Sequence, residues 1–329
     1  MGLNEKFFRS ADEDEPFFNT VLYTGNNSNK SITGVGFAPD LVWIKNRTNA
    51  NSHNLIDSVR GATKVIYSNA TNNEDTRSNS LTSFDSDGFS LGNYVGVNGN
   101  HNYVAWCWKA GGAAVSNTDG DIPSNVSANV ANGFSIVKYT GNGSGSEQTV
   151  GHGLGVKPEM VIIKDLDNVR DWFVYTDIID GSMDVLYLNK TDAKANSSRT
   201  SPTSSVYKIA GTTTLNKSNQ NFISYCFHSV AGVSKVGSFV GTGAAGKKIT
   251  LDFEPSWIIT KRTSTAGAGW AIIDNKRSTA SIKRDYLYAN TNGAEATSGS
   301  GITFNTDGFT FSGASFNTSG DTHIYYAIA

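Results

Sequence analysis

Three lysines and three aspartates recur at matched spacing along this chain. Lys45, Lys164 and Lys261 each stand six positions after a proline, in PDLVWIK, PEMVIIK and PSWIITK, and an aspartate follows twelve or thirteen residues later as Asp57, Asp177 and Asp274. A lysine beside a carboxylate is raw material for proton transfer, and two carboxylates about 5–9.5 Å apart would serve glycoside hydrolysis. Triplication argues against both. An active site has little need of three copies in one chain, whereas a strand-end Lys–Asp contact recurs wherever its strand does. Each lysine shares a strand face with Leu41 and Trp43, Met160 and Ile162, or Trp257 and Ile259, and is expected to snorkel at a sheet edge. The expectation is a protein that is not an enzyme, with no catalytic residue and no cofactor.

Other arrangements that could carry chemistry dissolve on inspection. Gly241-Thr-Gly243-Ala-Ala-Gly246 fits GxGxxG after a strand, but KKITLDFEP follows as another strand pattern, with no helix N-terminus to hold a pyrophosphate. Asp85-Ser-Asp87-Gly88 and Asn305-Thr-Asp307-Gly308 resemble half of a calcium loop yet lack the third acidic ligand and the distant Glu, so they read as hairpin turns. NTDGD, from Asn117 to Asp121, reads the same way. The five His (53, 101, 152, 228 and 323) make no zinc spacing, and no G-x-S-x-G elbow occurs. Cys107 and Cys226 sit in YVAWCW and FISYCF and are expected to be buried free thiols.

Binding residues are sought among the aromatics and at the start of the chain. Trp43, Trp106, Trp108 and Trp257 fall in apolar runs and read as packing. Trp172 and Trp270, near turns, are the candidates for exposed rings that stack on a glycan. The leader MGLNEKFFRS brings Leu3, Phe7, Phe8 and Arg9 together ahead of the acidic ADEDE and is expected to be an anchor that orders on a partner.

The elements that must hold these residues form a threefold internal repeat. The copies open on FNTVLYTG, FSIVKYTG and SKVGSFVG, pass through the proline-led runs, then through VIYSN, VLYLN and YLYAN, and close on YVAWCW, FISYCF and HIYYAI. FDSDGFSLG in copy one matches FNTDGFTFSG in copy three, while PTSSVYKIAG is the degenerate middle version. Short β-branched and aromatic runs separated by Gly/Asn/Asp turns predict an all-β chain of antiparallel sandwiches with little helix. The expected organisation is a leader at 1–16, repeats at 17–112, 134–231 and 232–329, and a Gly/Ser/Asn-rich linker at 113–133. Three such domains in a row would reach on the order of 100 Å.

Composition agrees with a folded chain that avoids two kinds of partner. The 329 residues carry 17 Phe, 13 Tyr and 6 Trp, enough apolar area for packed cores. A net charge of −2 with no long basic run gives nucleic acid nothing to be attracted to. No run approaches the ~18 apolar residues of a membrane span, and the charged start does not read as a secretion signal.

The runs YTGNNSNKSITGVGFAPDLVWIKNR, DSVRGATKVIYSNAT, LTSFDSDGFSLG and YVAWCWKAGG resemble the repeat domain of tail-fibre and virion structural proteins of tailed bacteriophages, notably those of marine cyanobacteria. The likeness is close over Phe18 to Gly112, clear over Phe134 to Phe227 and partial in copy three. The resemblance implies a concanavalin-like jelly roll in a virion appendage, held through its N-terminus by other virion proteins. It also implies contact with host surface polysaccharide and, by analogy with fibres, a homotrimer. A purely structural capsid decoration or tail connector, and a polysaccharide-degrading spike, are the competing expectations.

Overall fold

The computed structural model describes residues 16–211 and 214–329, so the leader residues Leu3, Phe7, Phe8 and Arg9 lie outside the described part. The described residues are all-β with antiparallel sheets, interrupted among them by an α-helical turn, Val95–Asn98, and a 3₁₀ turn, Val130–Asn132. Each copy builds the same four-strand arrangement. In copy one the order is Phe18–Thr24, Asn102–Trp108, Leu41–Asn46, Asn54–Asp57. Copy two repeats it with Phe134–Thr140, Asn221–Phe227, Met160–Asp165 and Phe173–Thr176, and copy three with Ser234–Val240, Thr322–Ile328, Trp257–Arg262 and Ala271–Asp274. The closing strand therefore lies between the opening and the proline-led strands in every copy, a shared order that agrees with the nearly equal spacing of landmarks along the three copies. The register agrees, with Leu41 opposite Trp108, Met160 opposite Phe227 and Trp257 opposite Ile328.

The proline-led strands are buried on both faces because those faces serve two different cores. Val42 and Ile44 join Ile32, Leu81, Phe89 and Leu91 in a core private to copy one, under the sheet of Lys30–Thr33, Gly88–Leu91 and Leu81–Asp85. Leu41 and Trp43 face the other way, into a cluster that also takes Met160 and Ile162 from copy two and Trp257 and Ile259 from copy three. The closing strands alternate likewise. Ala105 and Cys107 point inward to their own copy, while Val104, Trp106 and Trp108 enter the shared cluster.

A string of separate domains some 100 Å long is therefore not what this sequence forms. The three copies turn one sheet each toward a common centre, where Trp257 lies 5.5 Å from Trp108 and 6.1 Å from Tyr326, and Phe227 lies 4.8 Å from Tyr326, between ring centroids. Large aromatic areas removed from water at this centre are the principal adhesion between copies. A threefold assembly is thus completed within one chain.

The expected linker is also structured. Val115–Asn117 and Ser124–Asn129 pair with each other, and the latter pairs along its length with Phe134–Thr140, widening the sheet of copy two. In copy three the sheet continues through Ile282–Tyr288 and Ala296–Asn305 to Gly308–Phe311 and Lys248–Thr250, eight strands curling toward closure. Cys107 and Cys226 are buried free thiols, and burial pushes the Cys226 thiol up to about 12.

Candidate functional site

The recurring ionisable residues converge on the junctions between copies. Asp57 ends the fourth strand of copy one, and its carboxylate accepts from the Arg60 backbone N–H at 2.8 Å and from Arg60 Nε at 2.5 Å. Arg60 also donates to Leu55 O, and its Nη1 reaches Glu74 at 3.3 Å. Into this buried pair the Tyr225 hydroxyl of copy two donates at 2.8 Å. Copy three repeats the device. Asp274 accepts from Arg277 N at 2.8 Å and from Arg277 Nε at 2.6 Å, Arg277 binds Ile272 O and Glu295, and Trp106 Nε1 of copy one donates to the Asp274 carboxylate at 3.0 Å. Desolvated charges survive here because each has an opposite charge beside it and each carboxylate oxygen has at least one donor.

Copy two breaks the pattern. The place of Arg60 and Arg277 is taken by Asp180, and that of Glu74 and Glu295 by Lys194, so the pair Asp180–Lys194 at 2.6 Å carries reversed charges. Asp177 is left to Lys157, at 2.7 Å, on a side chain that is 43% exposed. The Tyr326 hydroxyl, which stands where Trp106 and Tyr225 stand, is buried without a hydrogen-bond partner.

The lysines do not touch the aspartates of their own repeat, contrary to the strand-end contact expected. Lys45, Lys164 and Lys261 are all buried, and each Nζ donates to main-chain carbonyls: Asn46 O at 2.6 Å, Asp165 O at 2.7 Å and Ala268 O at 2.7 Å. Lys164 also reaches Thr71 O of copy one at 3.3 Å. Loss of hydration pulls all three ammonium groups down to about 8. They hold strand ends and loops together, at the sites where each copy meets its neighbour.

Trp172 and Trp270 are not exposed platforms. Both rings are buried, because each crosses a junction: Trp172 Nε1 donates to Tyr67 O of copy one and Trp270 Nε1 to Tyr187 O of copy two, both at 2.9 Å. Their counterpart in copy one is His53, whose Nε2 lies 3.1 Å from Tyr288 O of copy three while its Nδ1 accepts from Trp43 Nε1 at 2.8 Å. The ring is therefore neutral with the proton on Nε2, and burial followed by the charge on Lys45 keeps its pKa well below the ordinary histidine value. Backbone bonds complete the ring of contacts. Glu74 N donates to Leu166 O, Lys194 N to Thr263 O and Glu295 N to Arg47 O, at 2.8, 2.8 and 2.9 Å, an equivalent bond at each junction, and Arg170 N to Thr71 O and Gly267 N to Thr191 O, both at 2.9 Å, add a second at two of them.

The remaining motifs are parts of turns. Asp87 accepts from Gly34 N and Gly36 N, which lowers its pKa, and Gly88 has φ +147° with Ile32 O pressed against the position a Cβ would take. Gly241 to Gly246 join Ser234–Val240 to the strand Lys248–Thr250. Among the described residues no group of three or more His, Cys, Asp and Glu is placed to hold a metal ion.

Arg60 and Arg277 were the functional residues hidden from the repeat comparison. The signal was present as Asp-x-x-Arg in DSVR and DNKR, against DIID in copy two.

A family model described as a domain of unknown function, DUF7483, matches residues 13–329, and the chain belongs to that family. The match runs through all three copies as one unit. No curated protein and no solved structure matches the chain.

Proposed function

We propose that the chain is a non-enzymatic virion component of a tailed bacteriophage, a compact knob or fibre element that aids adsorption to host surface polysaccharide. The observation that carries this reading is the fate of the repeated ionisable residues. Asp57 and Asp274, buried with Arg60 and Arg277, accept from Tyr225 and Trp106 of another copy, Lys164 reaches Thr71 O of copy one, and Lys45 and Lys261 are buried on carbonyls of their own copies. A protein that uses its recurring charges for assembly offers shape and surface, which suits a particle component. The likeness of its runs to phage virion repeats supplies the setting, and the concanavalin-like jelly roll belongs to the same reading. Many knobs on one particle would turn weak sugar contacts into avidity. The leader with Leu3, Phe7, Phe8 and Arg9 is read as the attachment to other virion proteins.

The test is made on particles and on cells. Mass spectrometry of purified virions should find the chain at a fixed copy number, and removal of Met1 to Glu15 should strip it from particles without lowering its melting temperature. The purified full chain should adhere to host cells and slow phage adsorption. Adherence to no cell despite incorporation would leave a purely structural decoration. Reducing ends released from host capsule would overturn the non-enzymatic reading.

A further inference from the structure

The three copies stack an aromatic pair at the same place, and in copy three both members are changed, the tyrosine of the opening strand to Phe239 and the ring of the closing strand to His323. Tyr23 lies over Tyr103 at 5.2 Å and 11°, Tyr139 over Phe222 at 5.0 Å and 13°, and Phe239 over His323 at 4.9 Å and 8°. The residue opposite the second ring changes with it. Asn46 faces Tyr103 and Asp165 faces Phe222, but Arg262 faces His323. Asn46 and Asp165 cap their own loops, accepting from the N–H groups of Thr48 and Asn49 and of Asp167 and Asn168. An arginine cannot accept, so copy three has given up the cap for a cation.

A cavity of about 280 Å³ opens at this point, walled by Tyr286, Tyr288, Phe316, Lys261, Arg262 and His323. In copy one the corresponding space holds the Tyr103 hydroxyl, which donates to Val95 O and accepts from Gly99 N. Two polar atoms in the wall of the copy-three cavity are buried without partners, Arg262 Nε and His323 Nε2. His323 is 2% exposed. Such atoms are costly to bury unless something else meets them. No carboxylate lines the cavity; Arg262 pairs through Nη1 with Asp321, outside the wall, at 3.4 Å and through Nη2 with Ala266 O at 2.6 Å, which leaves Nε as its unpartnered group. Copy one has its own recess beside Tyr67 and Tyr94, but there the cation Arg77 is already paired with Asp75 in the same wall at 2.6 Å.

We propose that the cavity of copy three is a binding site for a carboxylate-bearing sugar residue of the uronic acid class. The aromatic wall of Tyr286, Tyr288 and Phe316 offers apolar contact to the C–H side of a pyranose, and Arg262 with Lys261 offers charge to the carboxylate. Hydroxyls of Ser298, Ser315 and Thr318 complete the wall for sugar hydroxyl groups. The inference rests on the adsorption reading above and names the sugar chemistry that reading leaves open.

Calorimetric or NMR titration of the full chain with glucuronate, galacturonate, glucose and galactose tests it. At least one of the acids should bind with a Kd in the millimolar range, about tenfold tighter than its neutral counterpart. His323→Tyr, which installs the residue of copy one, should abolish binding with an undiminished melting temperature, and Arg262→Gln should weaken binding of the acid about tenfold while leaving the neutral sugar unchanged. Equal affinity for acid and neutral sugars, no binding of either acid, or binding retained in both variants would each overturn the inference. A chain that adheres to host cells yet takes neither acid sinks the pocket and leaves adsorption standing. One that binds an acid but no cell does the reverse.

Discussion

The junctions of copy one with copies two and three differ from the junction between copies two and three in one respect, and the difference shows what holds the molecule together. At the first two, an aromatic donor from one copy reaches a buried Asp–Arg pair in the next, Tyr225 to Asp57 and Trp106 to Asp274. At the third, Tyr326 has no acceptor and Asp177 turns to a half-exposed lysine. All three junctions keep their ring-to-carbonyl contact and their backbone bond. The shared aromatic centre and these neutral bonds are thus the common adhesive, while the charged device is an addition that copy two lacks, with Asp180 and Lys194 at the places of the arginine and the glutamate. Breaking the device where it exists should cost far more than altering its remnant. Asp57→Ala strands Arg60 and the Tyr225 hydroxyl and is expected to lower stability by about 3–5 kcal/mol. Asp177→Ala removes a partner from a solvated lysine and should cost about 1 kcal/mol or less. Denaturant unfolding of both variants compares them, and equal losses would show that the junctions are alike.

The ring contact is built differently in copy one and in the other two copies. Trp43 with His53 in copy one occupies the places of Ile162 with Trp172 and Ile259 with Trp270, so bulk has moved from one strand to its neighbour. Trp43→Ile should leave a cavity and an unanswered His53, and His53→Trp should crowd Trp43, each costing about 1–3 kcal/mol. The double variant converts copy one to the arrangement of the others and should recover most of the loss. Additive losses in this cycle would mean that the two residues pack independently.

Much of this was legible in the sequence and some could not have been. The order and spacing of the proline-led and closing runs gave the strands, the repeat and the hairpin turns at Gly88 and Gly308. LVWIK revealed two apolar faces, but periodicity cannot say whether the second face meets a sheet of the same copy or of another, and that choice separates a string of domains from one globule. Trp172 and Trp270 looked exposed because turn residues flank them, yet the surface over each turn is covered by a neighbour contributed from about a hundred positions away. The departure at Arg262 and His323 was visible in the aligned runs as KN, KD and KR, and as YV, FI and HI. Its meaning required knowing that the two positions stand opposite each other.

The ring contact also makes one junction sensitive to acid. His53 is held neutral among Trp43, Tyr288 O, Lys45 and Arg277, with its folded pKa below the unfolded value of about 6.5. The unfolded chain therefore takes up the proton first, so the stability it contributes is complete above about pH 6.5 and is lost as pH falls. His152 and His323, drawn down by burial to about 4, add to the same slope. Subtracting the Trp43→Ile/His53→Trp variant isolates the part due to His53, up to about 1.4 kcal/mol per pH unit. Melting curves between pH 7 and pH 5 that run parallel for the two proteins would contradict a junction closed by a neutral imidazole.

The smallest effect is the most discriminating. Tyr225→Phe removes a donor from a buried charged pair and should cost about 1.5–3 kcal/mol, since hydrogen bonds to charged groups stand above the ordinary range. Tyr326→Phe removes a hydroxyl that the fold buries with no acceptor across the junction, and replacing such a group by hydrogen should be neutral or slightly stabilising, within about 0.5 kcal/mol. The two rings occupy one position in two copies, so their difference measures the worth of the acceptor across the junction and cancels what the rings themselves contribute. A clear loss from Tyr326→Phe would mean that the junction of copies two and three has an acceptor for that hydroxyl, and the contrast between the junctions would then be one of partner and not of presence.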